Sequence, residues 1–418
     1  MNKKIFLISY WVNKEGNSPA IMADDKIISL LKLNYKILIL SSFASKKIRK
    51  KNVLHYRIPS LSFFDFKYEF RDSIQNKEIY KLIFFAPLVL SVGLIFDIIQ
   101  LILLKGTGGG KWFWTISALP LSIFIKLSNS CKILITTGGP ASSHLVGLIL
   151  SKLFNLKFLV YLQDPLVGSG IGRNESSKNF LRIFERLIIK QCTKVIFVTK
   201  TAAKEAINRF AGYSYNKKIF GIYSGAVKYN IKNIIKIKKN KKKLLLHAGT
   251  LYNSRNLDSL IKAINYLNYT KKFDFKNIEI LNLGDIYGPM KKEYSKLPYF
   301  RSQKITSRVL AIAKFFTADI LLLIQHTDNR SASTIPFKTY DYLNSKKIIF
   351  ALINNDELKN FLSKRGHICA DVTNYKDVAN KLISLLKHFK KIEQNVKKCK
   401  LEISHLSQTK KIFKNIKS

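Results

Sequence analysis

The segment most informative about the fold reads Ser333-Thr334-Ile335-Pro336-Phe337-Lys338-Thr339-Tyr340-Asp341-Tyr342-Leu343. Its proline predicts the start of a helix, because proline lacks the N–H that the first helical turn leaves unbonded anyway. Ser333 or Thr334 is expected to cap the free amides of that turn. The apolar residues after Pro336 have helical spacing, so a helix follows.

Two charged side chains lie early in this predicted helix. The N-terminus of a helix attracts anions, and Lys338 would add a positive charge for a phosphate group. Asp341 follows three residues later on the same face, where it could accept hydrogen bonds from sugar hydroxyls. The alternative interpretation is an ordinary capped helix with an exposed lysine and aspartate.

The composition predicts two folded domains and a basic surface. The chain has 418 residues, 47% of them hydrophobic, with 72 Lys and Arg against 26 Asp and Glu, which gives a formal charge of +46. The lysines form no stripe interleaved with aromatic residues, and no nucleic-acid-binding motif is present, so we expect no nucleic-acid partner. An anionic membrane surface is the expected partner, each nearby cation contributing about 1 kcal/mol.

Cysteine usage and the first residues indicate a cytoplasmic protein. The four cysteines are far apart and form no CxxC pair, which predicts reduced thiols; they are Cys131, Cys192, Cys369 and Cys399. Met1 to Ile8 contains two lysines and a short strand-like apolar run, without the features of a signal peptide.

Residues 82–104 are almost wholly apolar, interrupted by Asp97 and Gln100, and approach the ~20 residues that span a bilayer. We expect a helix that lies in or dips into the membrane interface, flanked by Lys81 and Lys105 and by two tryptophans, Trp112 and Trp114. The alternative is a buried helical hairpin.

Short apolar runs alternate with helical patterns along the chain, which predicts α/β domains with parallel sheets. The predicted strands are Lys4–Ser9, Lys36–Leu40, Lys132–Thr136, Lys157–Leu162, Lys194–Val198, Lys218–Ile222, Lys243–Ala248, Ile278–Leu283, Asp319–Gln325 and Lys347–Leu352. The predicted helices include Ser18–Leu33, Ala141–Phe154, Asn174–Gln191, Lys200–Phe210, Asn256–Leu267, Arg308–Phe316, Asn355–Ser363 and Asp377–Leu386. Two doubly wound domains are expected, over 1–225 and 244–395, joined by a linker over 226–243. Residues 396–418 are expected to form a basic helix that packs back on the N-terminal domain.

Loops after strands face a cleft in doubly wound folds, so chemistry is expected there. The loop after the first strand contains Gly16, whose backbone a ligand could approach closely. His144 follows the turn Thr137-Gly138-Gly139-Pro140 and is a candidate general base or a helix residue bonded to a neighbour. Asp164, in the turn Gln163-Asp164-Pro165, is a second candidate base or a turn-forming residue.

The fourth loop runs from Gly249 to Leu257, after the first strand of the second domain. Gly249 permits close approach of a ligand, and Arg255 offers a fork suited to a diphosphate. Together with Lys338 it would supply two cations in place of a metal. The chain contains no Asp-x-Asp motif, which argues against a metal-bridged diphosphate.

These motifs, with the Glu185 helix that leads to Lys194–Thr199, occur in an order that resembles the family 4 glycosyltransferases, which have the GT-B fold of two Rossmann-like domains. The resemblance implies a retaining enzyme with a nucleotide-diphosphate sugar bound by the second domain and a lipid-linked or glycan acceptor bound by the first. Arg255 and Lys338 resemble the cations that bind the diphosphate, and Asp341 stands where the family usually has a ribose-binding glutamate. The amides of Thr334, Ile335 and Pro336 would face the sugar and phosphate, and Gly16 would let its loop close on them.

The chain departs from the family pattern at three positions. Asp341 is one methylene shorter than glutamate, Ser333 replaces the first glutamate of the family's Glu-x7-Glu pair, and Thr250 replaces an arginine. These changes are consistent with a different sugar, a grip by the backbone, or reduced activity. The alternatives to an active transferase are a scaffold with this fold, a nucleic-acid-binding protein, and an epimerase. For the transferase we expect no cofactor and no metal, and a position at the inner face of the cell membrane.

Overall fold

The computed structural model describes residues 3–104, 111–168, 175–229, 242–271, 274–304, 307–328, 331, 333–401, 403–414 and 416. The chain divides into two compact units, Met1–Gly225 with His405–Ser418, and Ala226–Ser404. The first segment of unit 1 ends at Gly225, directly before the linker expected over 226–243. Most of that linker, 230–241, lies outside the described residues, as do Lys105 and Asn174.

Unit 1 contains a seven-stranded sheet whose strands all pair in parallel. Its strands are β1 (Lys4–Ile8), β2 (Lys36–Ser41), β3 (Val53–Arg57), β4 (Ile133–Gly138), β5 (Lys157–Leu162), β6 (Lys194–Phe197) and β7 (Ile219–Gly221). The central strands are buried over nearly their whole length, because helices cover both faces of a parallel sheet. This is why they appear in the sequence as continuous apolar runs.

The helices of unit 1 connect and cover these strands. They are α1 (Ser18–Lys32), α2 (Phe63–Gln75), α3 (Tyr80–Ile83), α4 (Ala86–Leu103), α5 (Trp114–Leu127), α6 (Ala141–Leu153), α7 (Glu175–Gln191) and α8 (Lys200–Arg209). The strand order β3-β2-β1-β4-β5-β6-β7 reverses direction between β1 and β4. Ligands bind at such a switch point in open α/β sheets, beside the carboxyl ends of the strands.

Unit 2 has a six-stranded parallel sheet in the order β10-β9-β8-β11-β12-β13. The strands are β8 (Lys243–Ala248), β9 (Ile278–Leu283), β10 (Phe300–Gln303), β11 (Ile320–Ile324), β12 (Ile348–Ile353) and β13 (Ile368–Asp371). The helices are α9 (Asp258–Tyr269), α10 (Met290–Tyr294), α11 (Arg308–Thr317), α12 (Lys338–Asn344), α13 (Asp356–Ser363), α14 (Tyr375–Lys387) and α15 (Phe389–Lys398). Here the switch point lies between β8 and β11.

The C-terminal region differs from the single basic helix expected over 396–418. The chain forms α15, which ends at Lys398, and then a separate helix, α16 (His405–Phe413), which belongs to unit 1. In α16 the Nδ1 atom of buried His405 lies 2.7 Å from the hydroxyl of Ser29 in α1, and the Ile412 carbonyl accepts a hydrogen bond from Lys194. Contacts with unit 1 therefore hold the end of the chain in place.

The sequence missed three strands, β3, β10 and β13. In β3 Leu54 is exposed, and in β10 Arg301, Ser302 and Gln303 are exposed. Both strands lie at a sheet edge, where one side has no neighbour to bury it. Both strands are consequently short and contain polar residues, and they resemble loops in the sequence.

Helix α4 is the one helix among the described residues with the length and composition to cross a membrane, with a mean hydropathy of 2.2. It is not the buried hairpin of the alternative interpretation, since just Val89, Gly93 and Asp97 are buried. Asp97 faces inward, where it accepts hydrogen bonds from the Ser62 hydroxyl (2.5 Å) and the Phe64 amide (2.9 Å) at the start of α2. The charge that interrupts the apolar run therefore belongs to the inner face, and the outer face is apolar.

Candidate functional site

The switch point of unit 2 brings two predicted loops together. Gly249 follows β8 directly, and the segment that leads to Lys338 follows β11, the neighbouring strand. The two loops are hydrogen-bonded, because the Thr327 amide donates to the Ser254 carbonyl at 3.2 Å. The sequence predicted Arg255 and Lys338 on the same side of one sheet, and they lie on these two connected loops.

Lys338 is directed at the end of β8. Its Nζ atom lies 2.7 Å from Nε2 of His247 and donates to the Ala248 carbonyl at 2.8 Å. Burial lowers the pKa of Lys338 well below the usual lysine range, and the positive charge of Arg255 lowers it further. An anion placed beside these two cations would relieve their repulsion, so the arrangement favours a negatively charged ligand.

His247 orients the lysine, and the sequence analysis did not identify it. Its Nδ1 atom lies 2.6 Å from Oδ1 of Asn282, an acceptor, so Nδ1 carries the proton and Nε2 accepts from Lys338. Asn282 in turn donates through Nδ2 to the Gly284 carbonyl at 2.8 Å. Burial and the nearby Lys338 hold the pKa of His247 well below its usual value, which keeps the imidazole neutral and able to accept.

Two glycines give this corner its shape. Gly249 has φ of +133°, and a Cβ added to it would lie 3.1 Å from Nζ of Lys338. Gly284 has φ of +147°, and a Cβ there would lie 2.5 Å from the Gly249 carbonyl oxygen. Both positions require a residue without a side chain. Thr250 follows, partly buried, before Leu251, whose amide donates to the Asp285 carbonyl.

Arg255 lies in a tight turn and not at the head of the next helix, which was expected to begin at Asn256 but begins at Asp258. The backbones of Tyr252 and Arg255 exchange two hydrogen bonds of 3.0 Å. The guanidinium lies 5.4 Å from the centre of the Tyr252 ring. This turn fixes the arginine backbone close enough to Lys338 and His247 for its charge to lower the pKa of both.

The segment before Lys338 corrects the predicted cap. Helix α12 begins at Lys338, its N-cap is Phe337, and no side chain caps it, so neither Ser333 nor Thr334 has that role. The Thr334 carbonyl instead accepts hydrogen bonds from the side-chain amides of Gln325 and Asn355, both at 3.1 Å. Two amides from the ends of β11 and β12 thus hold this loop, and sequence reasoning did not identify them.

Of the three backbone amides predicted to face a ligand, one is absent and one is already bonded. Pro336 carries no N–H, and the Thr334 N–H donates to the Ser331 carbonyl at 3.3 Å. The prediction therefore reduces to the amide of Ile335, a buried residue. Ser333 is partly buried in the same loop.

Asp341 forms a two-point ion pair that the sequence did not reveal. Its two carboxylate oxygens accept hydrogen bonds from Nη2 and Nε of Arg308 at 2.8 and 3.0 Å, and both side chains are mostly buried. Arg308 also donates to the Tyr229 hydroxyl at 3.0 Å. Burial raises the pKa of Asp341, and Arg308 opposes that shift. A ribose at this position would meet a carboxylate that is already paired.

In unit 1 the three loops predicted to face a ligand also meet. Gln163, after β5, donates to the Ser18 hydroxyl at 2.7 Å, and the Tyr10 amide, after β1, donates to the Ser143 hydroxyl at 2.9 Å. Gly16 has φ of +68° and lies in the loop between β1 and α1. These loops surround the switch point between β1 and β4.

The two candidate bases of unit 1 differ in their exposure to solvent. His144 is 1% exposed, its Nδ1 atom lies 2.8 Å from the Thr136 hydroxyl, and burial lowers its pKa to about 4. This geometry matches a helix residue bonded to a neighbour, because an imidazole enclosed in this way does not reach a substrate. Asp164 is exposed in its turn after β5 and remains a candidate.

A pocket of about 250 Å³ lies beside the loop after β1. Its lining combines aromatic rings and amines, Tyr10, Trp11, Lys14, Tyr68 and Lys111, together with Ala44. The amines are already paired, Lys14 with Asp72 and Lys111 with Asp65. Aromatic faces next to polar groups suit a sugar ring better than a free anion.

No group of three or more His, Cys, Asp or Glu side chains that could hold a metal ion occurs within the described part of the chain.

The fold of the two units is that of the GT-B glycosyltransferases. The HepE protein of Anabaena, solved in complex with UDP, is similar over 99% of both chains with a TM-score of 0.61 and 10% sequence identity. A glycosyltransferase from Rickettsia africae is similar over 100% of this chain and 99% of its own, with a TM-score of 0.60 and 15% sequence identity. WaaG, a glycosyltransferase involved in lipopolysaccharide biosynthesis, is similar over 98% of this chain and 99% of its own, with a TM-score of 0.58 and 11% sequence identity. No protein-family model and no curated protein matches the sequence significantly.

Proposed function

We propose that the chain is a retaining glycosyltransferase similar to family 4. It would transfer a sugar from a nucleotide-diphosphate sugar to a hydroxyl of a lipid-linked or cell-surface polysaccharide precursor. The observation that carries the proposal is the amine of Lys338, held by His247 and the Ala248 carbonyl beside Gly249 and within the field of Arg255. The fold supports it, and HepE, which shares the fold, was also solved with UDP-glucose.

The reaction follows from where charge develops. The bond between the anomeric carbon of the sugar and the diphosphate oxygen breaks, and a bond to the acceptor oxygen forms on the same face. The leaving diphosphate gains negative charge, which Lys338 and Arg255 would stabilise because they are positioned in advance. The proton of the acceptor hydroxyl passes to the leaving phosphate, so the step does not depend on His144 as a base.

Unit 1 would bind the acceptor. Its aromatic pocket beside the loop after β1 offers Trp11 and Tyr68 for contact with a sugar ring. Asp164, which is exposed in the turn after β5, would accept a hydrogen bond from an acceptor hydroxyl. We assign the donor to unit 2, where the two cations lie.

The apolar outer face of α4 supports a position at the membrane. Leu90, Leu94 and Leu101 are 59–69% exposed, and contact with lipid would remove that surface from water. The charge of +46 favours an anionic leaflet. The proposed location is therefore the cytoplasmic face of the cell membrane, where lipid-linked precursors are extended. We propose further that the reaction needs no metal and no cofactor, since the two cations would replace a metal.

A thermal-shift screen of nucleotide-diphosphate sugars tests the proposal, because a ligand that binds the native state raises its apparent stability. The wild type should be stabilised by at least one donor, and Lys338→Ala and Arg255→Ala should lose that shift. Lys364→Ala is the matched control, since Lys364 is an exposed lysine of the same unit. If no nucleotide diphosphate binds the wild type, the proposal is wrong. Isomerisation of the sugar without an acceptor would indicate an epimerase instead.

A further inference from the structure

An apolar groove opens on unit 1 at the C-terminal end of α4. Its volume is about 460 Å³, within the range of small-molecule sites. One side is lined by buried Trp112, which precedes α5, and by the more exposed Ile116 of α5. The other side is lined by Phe180, Ile183 and Leu187 of α7. The lining is almost entirely hydrocarbon, so a polar ligand such as a nucleotide has no partner in it.

The groove continues the apolar surface of α4. Leu104, at the end of α4, lines it. Phe113 also lines it and stacks on Phe96 of α4, with ring centres 4.5 Å apart and planes inclined by 10°. The exposed apolar face of α4 and the groove therefore form one continuous apolar surface.

Helix α7 carries four basic residues, and the last of them borders the groove-lining residues of that helix. Lys178, Arg182, Arg186 and Lys190 recur every four residues. At 100° per residue this places the last of them next to the exposed apolar stripe that contains Ile183. Lys178 pairs with Glu175, and Arg186 donates to the Tyr215 hydroxyl. An exposed apolar stripe bordered by cations is typical of a helix in a membrane interface.

We propose that this groove binds one hydrocarbon chain of an anionic membrane lipid, with the lipid headgroup at the basic stripe of α7. The proposal rests on the membrane location proposed above. A second copy of the chain fits less well as the occupant, since it would bring the same cationic stripe against itself. The groove would hold the enzyme on the bilayer by a single chain, in addition to the flat contact made by α4.

Binding of a soluble single-chain probe tests the groove directly. Decyl phosphate, below the concentration at which it forms micelles, is titrated calorimetrically into the full-length protein. Saturable binding of one molecule is expected, and butyl phosphate, with the same headgroup, should bind more than about a hundredfold more weakly, because each buried methylene contributes about 0.8 kcal/mol. If the two probes bind equally, the headgroup alone accounts for binding and the proposal is wrong.

Two matched substitutions locate the site. Ile183→Glu should weaken decyl phosphate binding at least about tenfold, as expected for a charge placed against a hydrocarbon chain. Leu54→Glu, on β3 and similarly exposed, should leave it within about twofold. Equal affinities in the two variants would overturn the assignment. Leu187→Glu replaces Ile183→Glu if circular dichroism shows that the latter does not fold.

A vesicle experiment identifies the lipid as the source of the chain. Phosphatidylglycerol vesicles with brominated acyl chains should quench the tryptophan fluorescence of the wild type, and Trp112→Phe should remove most of that quenching. Quenching that persists in Trp112→Phe would contradict insertion of a chain into the groove. Lys338→Ala, which tests nucleotide binding, should bind decyl phosphate like the wild type. Chain binding without nucleotide binding would thus reject the transferase alone, and the reverse result would reject the groove alone.

Discussion

The Nζ atom of Lys338 lies 2.7 Å from Nε2 of His247, and Oδ1 of Asn282 lies 2.6 Å from the other ring nitrogen. This chain of contacts spans β9, β8 and the start of α12. Because the histidine is fully buried and neutral, it can accept a hydrogen bond from the ammonium without repelling it. The direction of the proposed phosphate-binding amine is therefore set by a side chain of the sheet interior.

Replacing His247 should weaken nucleotide binding. His247→Ala is expected to reduce UDP affinity by about tenfold or more, since a hydrogen bond to a charged group contributes about 1.5–3 kcal/mol. His247→Gln keeps an acceptor and should restore part of the affinity. Calorimetric titration measures both variants, and thermal unfolding checks their folding. A loss of stability with unchanged UDP affinity would show that His247 has a structural role alone.

Gly249→Ala should weaken UDP binding in addition to lowering stability. The added Cβ would lie 3.1 Å from Nζ of Lys338, tighter than an ordinary contact, so the amine must move. Gly288→Ala is the control, because Gly288 also has positive φ, +74°, but has nothing within 4 Å of the added Cβ. Gly288→Ala should lose about 1–2 kcal/mol of stability, and Gly249→Ala should lose at least as much stability and UDP affinity as well. Equal affinities for UDP would place the donor diphosphate elsewhere.

Binding of UDP should be coupled to uptake of protons. Burial and Arg255 lower the pKa of Lys338 in the free protein, and a bound diphosphate would raise it again. Affinity should therefore be greatest at low pH and fall as pH rises through the pKa of the complex. Titrations above pH ~7.5, where the nucleotide phosphate is already ionised, in buffers of different ionisation enthalpy measure the uptake. The Lys338→Met variant should show none, and a wild-type enthalpy independent of the buffer would contradict the prediction.

The ion pair of Arg308 and Asp341 should contribute strongly to the stability of unit 2. Arg308→Gln leaves a mostly buried carboxylate without its partner, which costs about 3–5 kcal/mol. Glu279→Gln removes the partner of Arg301, whose side chain is 68% exposed and solvated by water, and should cost less than about 1 kcal/mol. Urea unfolding measures both. Similar small losses in the two variants would mean that the buried pair is well solvated.

The outer face of α4 should determine membrane binding. The double variant Leu94→Glu/Leu101→Glu places two charges on exposed apolar positions and should reduce co-sedimentation with anionic vesicles severalfold without unfolding the protein. Leu54→Glu should sediment like the wild type. Asp97→Ala should instead lower stability, because the Ser62 and Phe64 groups lose their acceptor. Unchanged sedimentation of the double variant would exclude α4 as the membrane contact.

The sequence alone was sufficient for the parallel α/β fold and for placing the candidate loops after its strands. Strands such as β5, β8 and β9 were predicted with their observed bounds, because a strand buried on both faces leaves a short, largely apolar run between turn residues. Gly249 was predicted as a position of close ligand approach, and the structure gives it a φ of +133°, a conformation that favours glycine.

The tertiary structure decided what those loops contact. The partners of Lys338 and Asp341 are His247, 91 residues away, and Arg308, 33 residues away, and neither spacing leaves a pattern in the sequence. For the same reason the predicted cap by Ser333 or Thr334 was wrong, since Gln325 and Asn355, which follow β11 and β12, hold that loop. Local sequence determines which backbone can form; long-range packing determines which side chains meet, because contacts between distant residues depend on the register of the whole sheet.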